Sequence, residues 1–252
     1  MLLGEPPRSQ WDLNFSLFGF PVRIHPFFWL IVLVLGANSS DPFDLVTWLV
    51  AVSVSILFHE LGHAVVLRTY GIHPWITLYG LGGAASYNPA QARYTKGSGS
   101  LGQILVSLAG PGAGFLLAAV IVGAVIASGH EIRVFLGAPV GLLVAIPPGE
   151  VIGSPHFTAL INQMLFINVL WGIINLMPVY PLDGGQIARE IFMAVNPRNG
   201  IRQSLILSMI AGAALALFGI TLWKSIFMAV LFGYLAYTSY ATLQAYNRHG
   251  PM

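Results

Sequence analysis

The chain has 252 residues, of which 56% are hydrophobic and only 8% are charged, and its mean hydropathy is +0.76. Soluble domains carry roughly a quarter charged residues, so this composition excludes a water-soluble fold and indicates a polytopic membrane protein. The net charge of +2 comes from singly scattered Lys and Arg, which argues against a nucleic-acid partner, and the absence of cysteine restricts metal ligands to His, Asp and Glu.

A helix needs about 20 mostly apolar residues to cross a bilayer, and the sequence predicts about six such spans. They cover residues 20–37, 45–67, 101–128, 157–177, 203–223 and 225–247. The first is the weakest, because Arg23, His25 and Pro26 crowd its start. The expected fold class is therefore an all-α polytopic membrane protein.

Two connections between the spans have their own patterns. Residues 75–87 begin with the β-prone run Trp75–Tyr79 and continue with a stretch rich in glycine and alanine. This pattern predicts a strand pair or short re-entrant β-hairpin, with an ordinary glycine-rich loop as the alternative. Residues 134–149 are apolar but short and broken by prolines, so we expect an interfacial segment or loop. No repeat or long linker appears, which favours one domain over residues 1–252.

The distribution of basic residues predicts how the spans are oriented. With six spans and a cytoplasmic N-terminus, nine of the eleven Lys and Arg residues lie on the cytoplasmic side, and only Arg133 and Lys224 lie outside. Such a positive-inside bias predicts a multi-pass protein of the cell membrane with both termini in the cytoplasm. The C-terminal ends of the second and fourth spans then lie at the cytoplasmic face.

The second predicted span contains the segment His59-Glu60-Leu61-Gly62-His63. On a helix, His59 and His63 project from one face and could chelate one Zn2+, and Glu60 could act as general base on a water molecule there. The alternative is a pair of interior histidines that happen to flank a glutamate. Ionisable groups inside a span cost about 3 kcal/mol each, which favours the zinc interpretation.

A catalytic zinc commonly has three protein ligands, so the two histidines need a partner. Among the nine acidic residues, only Glu60 and Asp183 lie within or at the edge of an apolar segment. The remaining histidines lie near predicted span ends or in loops: His25, His73, His130, His156 and His249. Asp183 is therefore the favoured third ligand. The alternative is a structural role as a helix cap or turn residue, because the sequence Asp183-Gly184-Gly185 also favours turns.

Two segments resemble the site-2 protease family of intramembrane metalloproteases, peptidase family M50. They are Phe58-His59-Glu60-Leu61-Gly62-His63-Ala64 and Asn175-Leu176-Met177-Pro178-Val179-Tyr180-Pro181-Leu182-Asp183-Gly184-Gly185. The Asn, Pro, Pro and Asp-Gly spacing of the second matches the family pattern without a gap. Residues 18–26 and 107–114 are similar to the family's N-terminal segment and its small-residue helix, so the likeness spans roughly residues 11–190.

The resemblance implies a role for each residue of these motifs. His59, His63 and Asp183 would bind one Zn2+ per chain, and Glu60 would be the catalytic base. Asn175 would position substrate or stabilise the oxyanion, with an interhelical hydrogen bond as the alternative. The metalloprotease domain would have its catalytic core at about 11–190, followed by a helix pair at about 203–247.

The implied activity is hydrolysis of peptide bonds in or next to transmembrane segments. The substrate would be a single-span membrane protein in the lipid bilayer, reached from the cytoplasmic side. The strand pair at 75–87 would offer an edge to the unwound substrate. Neither the 69–100 nor the 129–155 connection is long enough for a PDZ domain, and we expect no C-terminal CBS pair.

Two other classes of protein stay open at this point. A membrane zincin of the CAAX-processing type would use a distal glutamate as third ligand, whereas the other intramembrane acid here is Asp183. A non-enzymatic zinc-binding membrane protein, such as a transporter, would place polar groups on several spans. In this chain the ionisable residues of the spans instead lie together near the predicted cytoplasmic ends of two spans.

Overall fold

A computed structural model of the chain describes residues 5–37, 41–80, 82–92, 95–135 and 143–249. The described residues separate into two compact units. The larger comprises those between 5 and 95 and between 109 and 172, and the smaller comprises those between 96 and 108 and between 173 and 249. The single domain over 1–252 stays a prediction.

The described chain is mostly helical, with a small β component. In chain order the helices are α1 (Pro26–Gly36), α2 (Pro42–Thr69), α3 (Pro89–Ala92), α4 (Ser100–Ala127), α5 (Pro155–Asn175), α6 (Asp183–Val195), α7 (Gly200–Thr221) and α8 (Ile226–His249). The strands are β1 (Leu13–Leu17), β2 (Phe20–Ile24), β3 (Trp75–Tyr79), β4 (Gly82–Ser86), β5 (Arg133–Phe135) and β6 (Leu143–Ala145).

Five of these helices, α2, α4, α5, α7 and α8, are long and apolar enough to cross a membrane. Each agrees with a predicted span to within about one helical turn at both ends. The agreement reflects local composition, because an apolar run of about 18 or more residues with few or no charges is the usual mark of a membrane-spanning helix.

The first predicted span, residues 20–37, is wrong as a continuous helix. Its first part is strand β2, and α1 begins only at Pro26, where His25 caps the helix by accepting from the Phe27 N–H. With 11 residues, α1 is about 16 Å long, roughly half the thickness of a bilayer core. The fold is therefore mostly helical with a sheet rather than all-α, and the count of six spans stays a prediction.

A four-stranded sheet in the order β1-β2-β3-β4 forms part of the larger unit. Strands β2 and β3 are parallel, and the outer pairs are antiparallel, with Trp75 opposite Ser86 and Tyr79 opposite Gly82. The predicted strand pair is confirmed, whereas its re-entrant course stays a prediction. Leu81 between the two strands lies outside the described residues. The sheet shares one buried hydrophobic cluster with α1 and α2.

The segment predicted as interfacial or loop contains the short antiparallel pair of β5 and β6. The Ile146 N–H donates to Asn162 Oδ1 at 2.8 Å and so fastens the end of β6 to α5. The intervening residues 136–142 lie outside the described part of the chain.

A group of charged side chains holds the N-terminal residues on the sheet. Arg23 of β2, although nearly buried, donates to Glu5 Oε1 at 3.0 Å and to Asp12 Oδ2 at 3.1 Å. Glu5 also accepts hydrogen bonds from Trp75 and Thr77 of β3. Burial by itself raises the pKa of Glu5 and of Asp12, but these hydrogen bonds and the Arg23 charge outweigh it, and both pKa values lie below their ordinary range.

The sign of these shifts predicts how stability depends on pH. A carboxyl whose pKa is lowered by folding stabilises the fold above its ordinary pKa, and this contribution is lost as the pH falls through the lower folded value. The melting temperature in detergent should therefore drop between about pH 5 and about pH 2. Asp12→Asn should reduce that drop. Glu131→Gln is the control and should leave the drop unchanged, because the Glu131 side chain is largely exposed. Equal pH profiles of melting temperature for the wild type and Asp12→Asn would contradict the stabilising role of the Asp12 carboxylate.

Candidate metal centre

Three ionisable side chains lie buried within five positions of α2. His59 and Glu60 are each 4% exposed, and His63 is 8% exposed. The helix brings His59 and His63 to the same face, one turn apart, as their spacing predicts. Polar groups this deep in an apolar helix are retained where they have partners and a function.

The two imidazoles turn the same ring nitrogen toward a common point. His59 Nε2 and His63 Nε2 are 3.2 Å apart, and the rings are nearly perpendicular at 78°. A tetrahedral zinc with Zn–N bonds of about 2.05 Å would place two ligand nitrogens about 3.3 Å apart. The separation therefore fits two ligands of one zinc ion.

A glycine of α4 leaves room at this point. A Cβ atom at Gly110 would lie 2.2 Å from His63 Nε2 and 2.7 Å from His59 Nε2, so any larger residue would displace the rings. The two helices can approach so closely because residue 62 of α2 is a glycine. A Cβ atom there would lie only 2.3 Å from the Ala109 carbonyl oxygen of α4. The sequence predicts helix packing for the glycine-rich segment 110–114, and the structure adds that Gly110 faces both candidate ligands.

Glu60 lies against strand β4. A Cβ at Gly83 would come within 2.6 Å of Glu60 Cγ, so the glycine allows the carboxylate side chain to pass next to the strand backbone. Strand β4 ends the four-stranded order on this side of the sheet. The general-base candidate and a sheet edge are thus neighbours within the larger unit.

The second motif lies in the smaller unit, where α5 ends at the buried Asn175 and α6 begins at Asp183. The residues between them form no helix or strand, because Pro178 and Pro181 lack backbone donors. Leu182 is the N-cap and Asp183 lies in the first turn of α6, so the cap role proposed as an alternative for Asp183 falls to Leu182.

Two glycines let the chain fold back tightly at this point. A Cβ at Gly184 would lie 2.1 Å from the Leu176 carbonyl oxygen, and one at Gly185 would lie 2.4 Å from the Tyr180 nitrogen. The Tyr180 N–H donates to Ser208 Oγ of α7 at 3.1 Å, which anchors the irregular segment. Asp183 therefore opens a helix whose position is fixed by backbone contacts.

His59 and His63 of the larger unit are candidate metal ligands, and Asp183 of the smaller unit stays the predicted third ligand. A second candidate set, at the beginning of α2 and α5, consists of Asp41, Asp44 and His156. All three of these side chains are more than 40% exposed, and His156 Nδ1 is 3.6 Å from Asp44 Oδ1. Asp41 has a structural role there, since it caps α2 by accepting from the Phe43 N–H at 2.9 Å.

Sequence reasoning missed a polar pair next to the candidate ligands. Asn168 of α5 donates to Ser55 Oγ of α2 at 2.8 Å, and both residues line a narrow crevice together with His59. The sequence shows Ser55 and Asn168 as single polar residues in two predicted spans, but it contains no pattern that indicates their contact.

Comparison with known proteins identifies related chains. The family model of peptidase family M50 matches residues 47–219. A zinc metalloprotease of Methanocaldococcus jannaschii is 26% identical over 208 residues, which cover 81% of this chain and 51% of that protein. A Synechocystis protein whose name assigns it to the zinc metalloproteases is 31% identical over 206 residues, covering 74% of this chain and 46% of its own length. The chain thus spans about half the length of these curated relatives.

A solved structure shares the fold. The site-2 protease from Methanocaldococcus jannaschii aligns with a TM-score of 0.57 and 22% sequence identity, covering 92% of this chain and 95% of that one. Its similarity extends well beyond the two motifs to nearly the whole chain.

The glycine facing the imidazoles provides a direct test of the site. Gly110→Ala should weaken zinc binding by at least about tenfold, since its methyl group would push both Nε2 atoms out of position. Gly112→Ala is the matched control on the same helix, because a Cβ there meets nothing within 4 Å. Metal content after equilibrium dialysis measures the difference, and equal zinc binding by the two variants would contradict this geometry.

Proposed function

Because the chain belongs to peptidase family M50, we propose that it is an intramembrane zinc metalloprotease. It hydrolyses peptide bonds in or next to transmembrane segments of membrane proteins. The observation that carries the proposal is a pair of imidazole nitrogens 3.2 Å apart, next to a buried glutamate, in a helix that is long and apolar enough to cross a membrane. Family membership also favours this activity over a CAAX-processing zincin.

We assign the metal ligands as His59 Nε2, His63 Nε2 and a carboxylate oxygen of Asp183. Support comes from the fit of the imidazole pair to zinc, from the family motif that contains Asp183, and from the proline-interrupted segment that precedes it. Bound zinc supplies Lewis-acid activation of water and of the scissile carbonyl. Three protein ligands leave a coordination position for the reaction, as in other catalytic zinc sites.

The chain's own residues then handle protons and orientation. The Glu60 carboxylate accepts a proton from the attacking water at Oε and passes it to the nitrogen of the leaving amine. Its burial keeps competing water away from that proton. The Asn175 side-chain amide donates a hydrogen bond to the carbonyl oxygen of the scissile peptide as negative charge develops on it.

We propose that β4 receives the substrate. A transmembrane helix has to unwind before its peptide bonds become reachable, and pairing with a sheet edge replaces the hydrogen bonds it loses. The residues of β4 are Gly, Gly, Ala, Ala and Ser, which leave space for an incoming strand. Since Glu60 lies against Gly83 of this strand, a paired substrate would pass the general base.

We further propose six crossings, with both termini and the active-site opening on the cytoplasmic side of the cell membrane. The five long helices need one more crossing to bring the termini to one side, and β2 followed by α1 supplies about 30 Å of chain for it. Backbone groups of β2 at that depth are satisfied by the flanking strands. The orientation follows from the excess of Lys and Arg on the cytoplasmic side.

The first test removes only the proton acceptor. Glu60→Gln should lower cleavage of a single-span substrate in proteoliposomes by about 100-fold or more, because general-base catalysis is lost, while zinc content stays at the wild-type level. Glu190→Gln on α6 serves as the control and should cleave normally. Cleavage by Glu60→Gln at the wild-type rate would contradict the proposed activity.

A second test addresses the third ligand. Asp183→Ala should weaken zinc binding by more than the roughly 10–100-fold that loss of an outer hydrogen-bond partner causes. Glu190→Ala, in the same helix, should bind zinc like the wild type. If zinc affinity survives in Asp183→Ala, the third ligand is another residue and the assignment fails.

A further inference from the structure

Strand β4 meets helix α5 at a glycine. A Cβ atom at Gly82 would lie 3.2 Å from Cζ2 and 3.7 Å from Cη2 of Trp171. The six-membered ring of the indole therefore lies on the side of β4 to which residue 82 points. Trp171 also lines the narrow crevice that His59 lines, so one side chain neighbours both β4 and a candidate metal ligand.

The packing around Trp171 fixes the position of its ring. The indole is half-buried and packs against the hydrophobic cluster that α1, α2 and the sheet share. The next residue of α5 seats the helix backbone, since a Cβ at Gly172 would lie 2.7 Å from Cε1 of Phe115 on α4. A ring packed in this way does not move aside readily when another side chain approaches it.

Consecutive residues of β4 point toward different groups of the larger unit. Residue 82 points toward Trp171, and a Cβ at Gly83 would lie 2.6 Å from Glu60 Cγ. Side chains alternate between the two faces of a strand, and directly opposite residues of paired strands point to the same face, with Cβ atoms about 5 Å apart. A substrate strand paired with β4 would thus present one residue to Glu60 and an adjacent residue to the indole.

We infer that Trp171 is a specificity-determining residue, whose ring limits the size of the substrate side chain that faces it. Because residue 82 has no side chain of its own, the ring can contact that substrate residue directly. Gly, Ala or Ser fits there, whereas Leu or Phe would meet the ring and shift the paired strand away from Glu60. The inference rests on the proposed pairing of the substrate with β4.

Cleavage of a single-span substrate in proteoliposomes tests this role. Each residue near the mapped scissile bond is changed in turn to Ala and to Phe. At the position that faces the indole, the wild type should cleave the Ala form at least about tenfold faster than the Phe form, since a misfitting side chain costs that much in kcat/KM. At the adjacent positions the ratio should be smaller.

Trp171→Phe should bring the two rates close together at that position, because it removes the outer ring that meets Gly82 and keeps an aromatic side chain in the cluster. Trp48→Phe is the matched control. Trp48 packs against the same cluster, but its indole N–H donates to the Val32 carbonyl oxygen at 3.0 Å. This variant should keep the wild-type ratio of the two rates.

Disulfide cross-linking adds a readout that does not depend on turnover. The chain has no cysteine, so Trp171→Cys combined with Glu60→Gln provides a single thiol in a protein that retains its substrate. Oxidation should link this thiol to a cysteine at one substrate position and much less to cysteines at the two adjacent positions, which point to the other face. Trp48→Cys in the same background should give no link.

An unchanged ratio in Trp171→Phe, an equal change in Trp48→Phe, or equal cross-linking of adjacent substrate positions would each overturn the inference. Wild-type protein that cleaves no membrane substrate, or Glu60→Gln protein that cleaves at the wild-type rate, would instead count against the proposed function.

Discussion

The free-energy cost of polar side chains inside an apolar helix governs the structure of the larger unit. Each ionisable group in the membrane costs about 3 kcal/mol unless neighbours compensate it, and α2 contains His59, Glu60 and His63 within a single turn and a quarter. Two neighbouring elements of the larger unit meet these side chains at a glycine: Gly110 of α4 lies next to the imidazoles, and Gly83 of β4 lies next to Glu60.

Close approach between backbone segments, made possible by glycine, also shapes the smaller unit. Gly184 and Gly185 let the start of α6 pack directly on the irregular segment after α5, and Gly212 and Gly219 do so where α7 meets α8. Small residues permit tight packing of helices that gain little from the hydrophobic effect inside a bilayer. The prolines before Asp183 interrupt the helix, and the glycines after it fix where the next helix begins.

Much of this architecture could be predicted from the sequence, because its signals are local. Five long helices follow from apolar length, and the histidine pair follows from its spacing of four residues. The strand β2 could not be predicted in this way. Its residues Phe20, Val22 and Ile24 are buried like those of a span, and Arg23 is tolerated only because Glu5 and Asp12 reach it from elsewhere in the chain. The contact of Asn168 with Ser55 joins residues 113 positions apart, and no periodicity encodes it.

X-ray absorption at the zinc edge, on the purified full chain loaded with one equivalent of zinc, tests whether His59 and His63 bind the metal. We expect two imidazole ligands per zinc, with oxygen ligands completing the coordination and Zn–N distances of about 2.0–2.1 Å. The imidazole signal should disappear in the double variant His59→Ala, His63→Ala. An unchanged spectrum in that variant, or zinc bound without imidazole in the wild type, would contradict a zinc site built on His59 and His63.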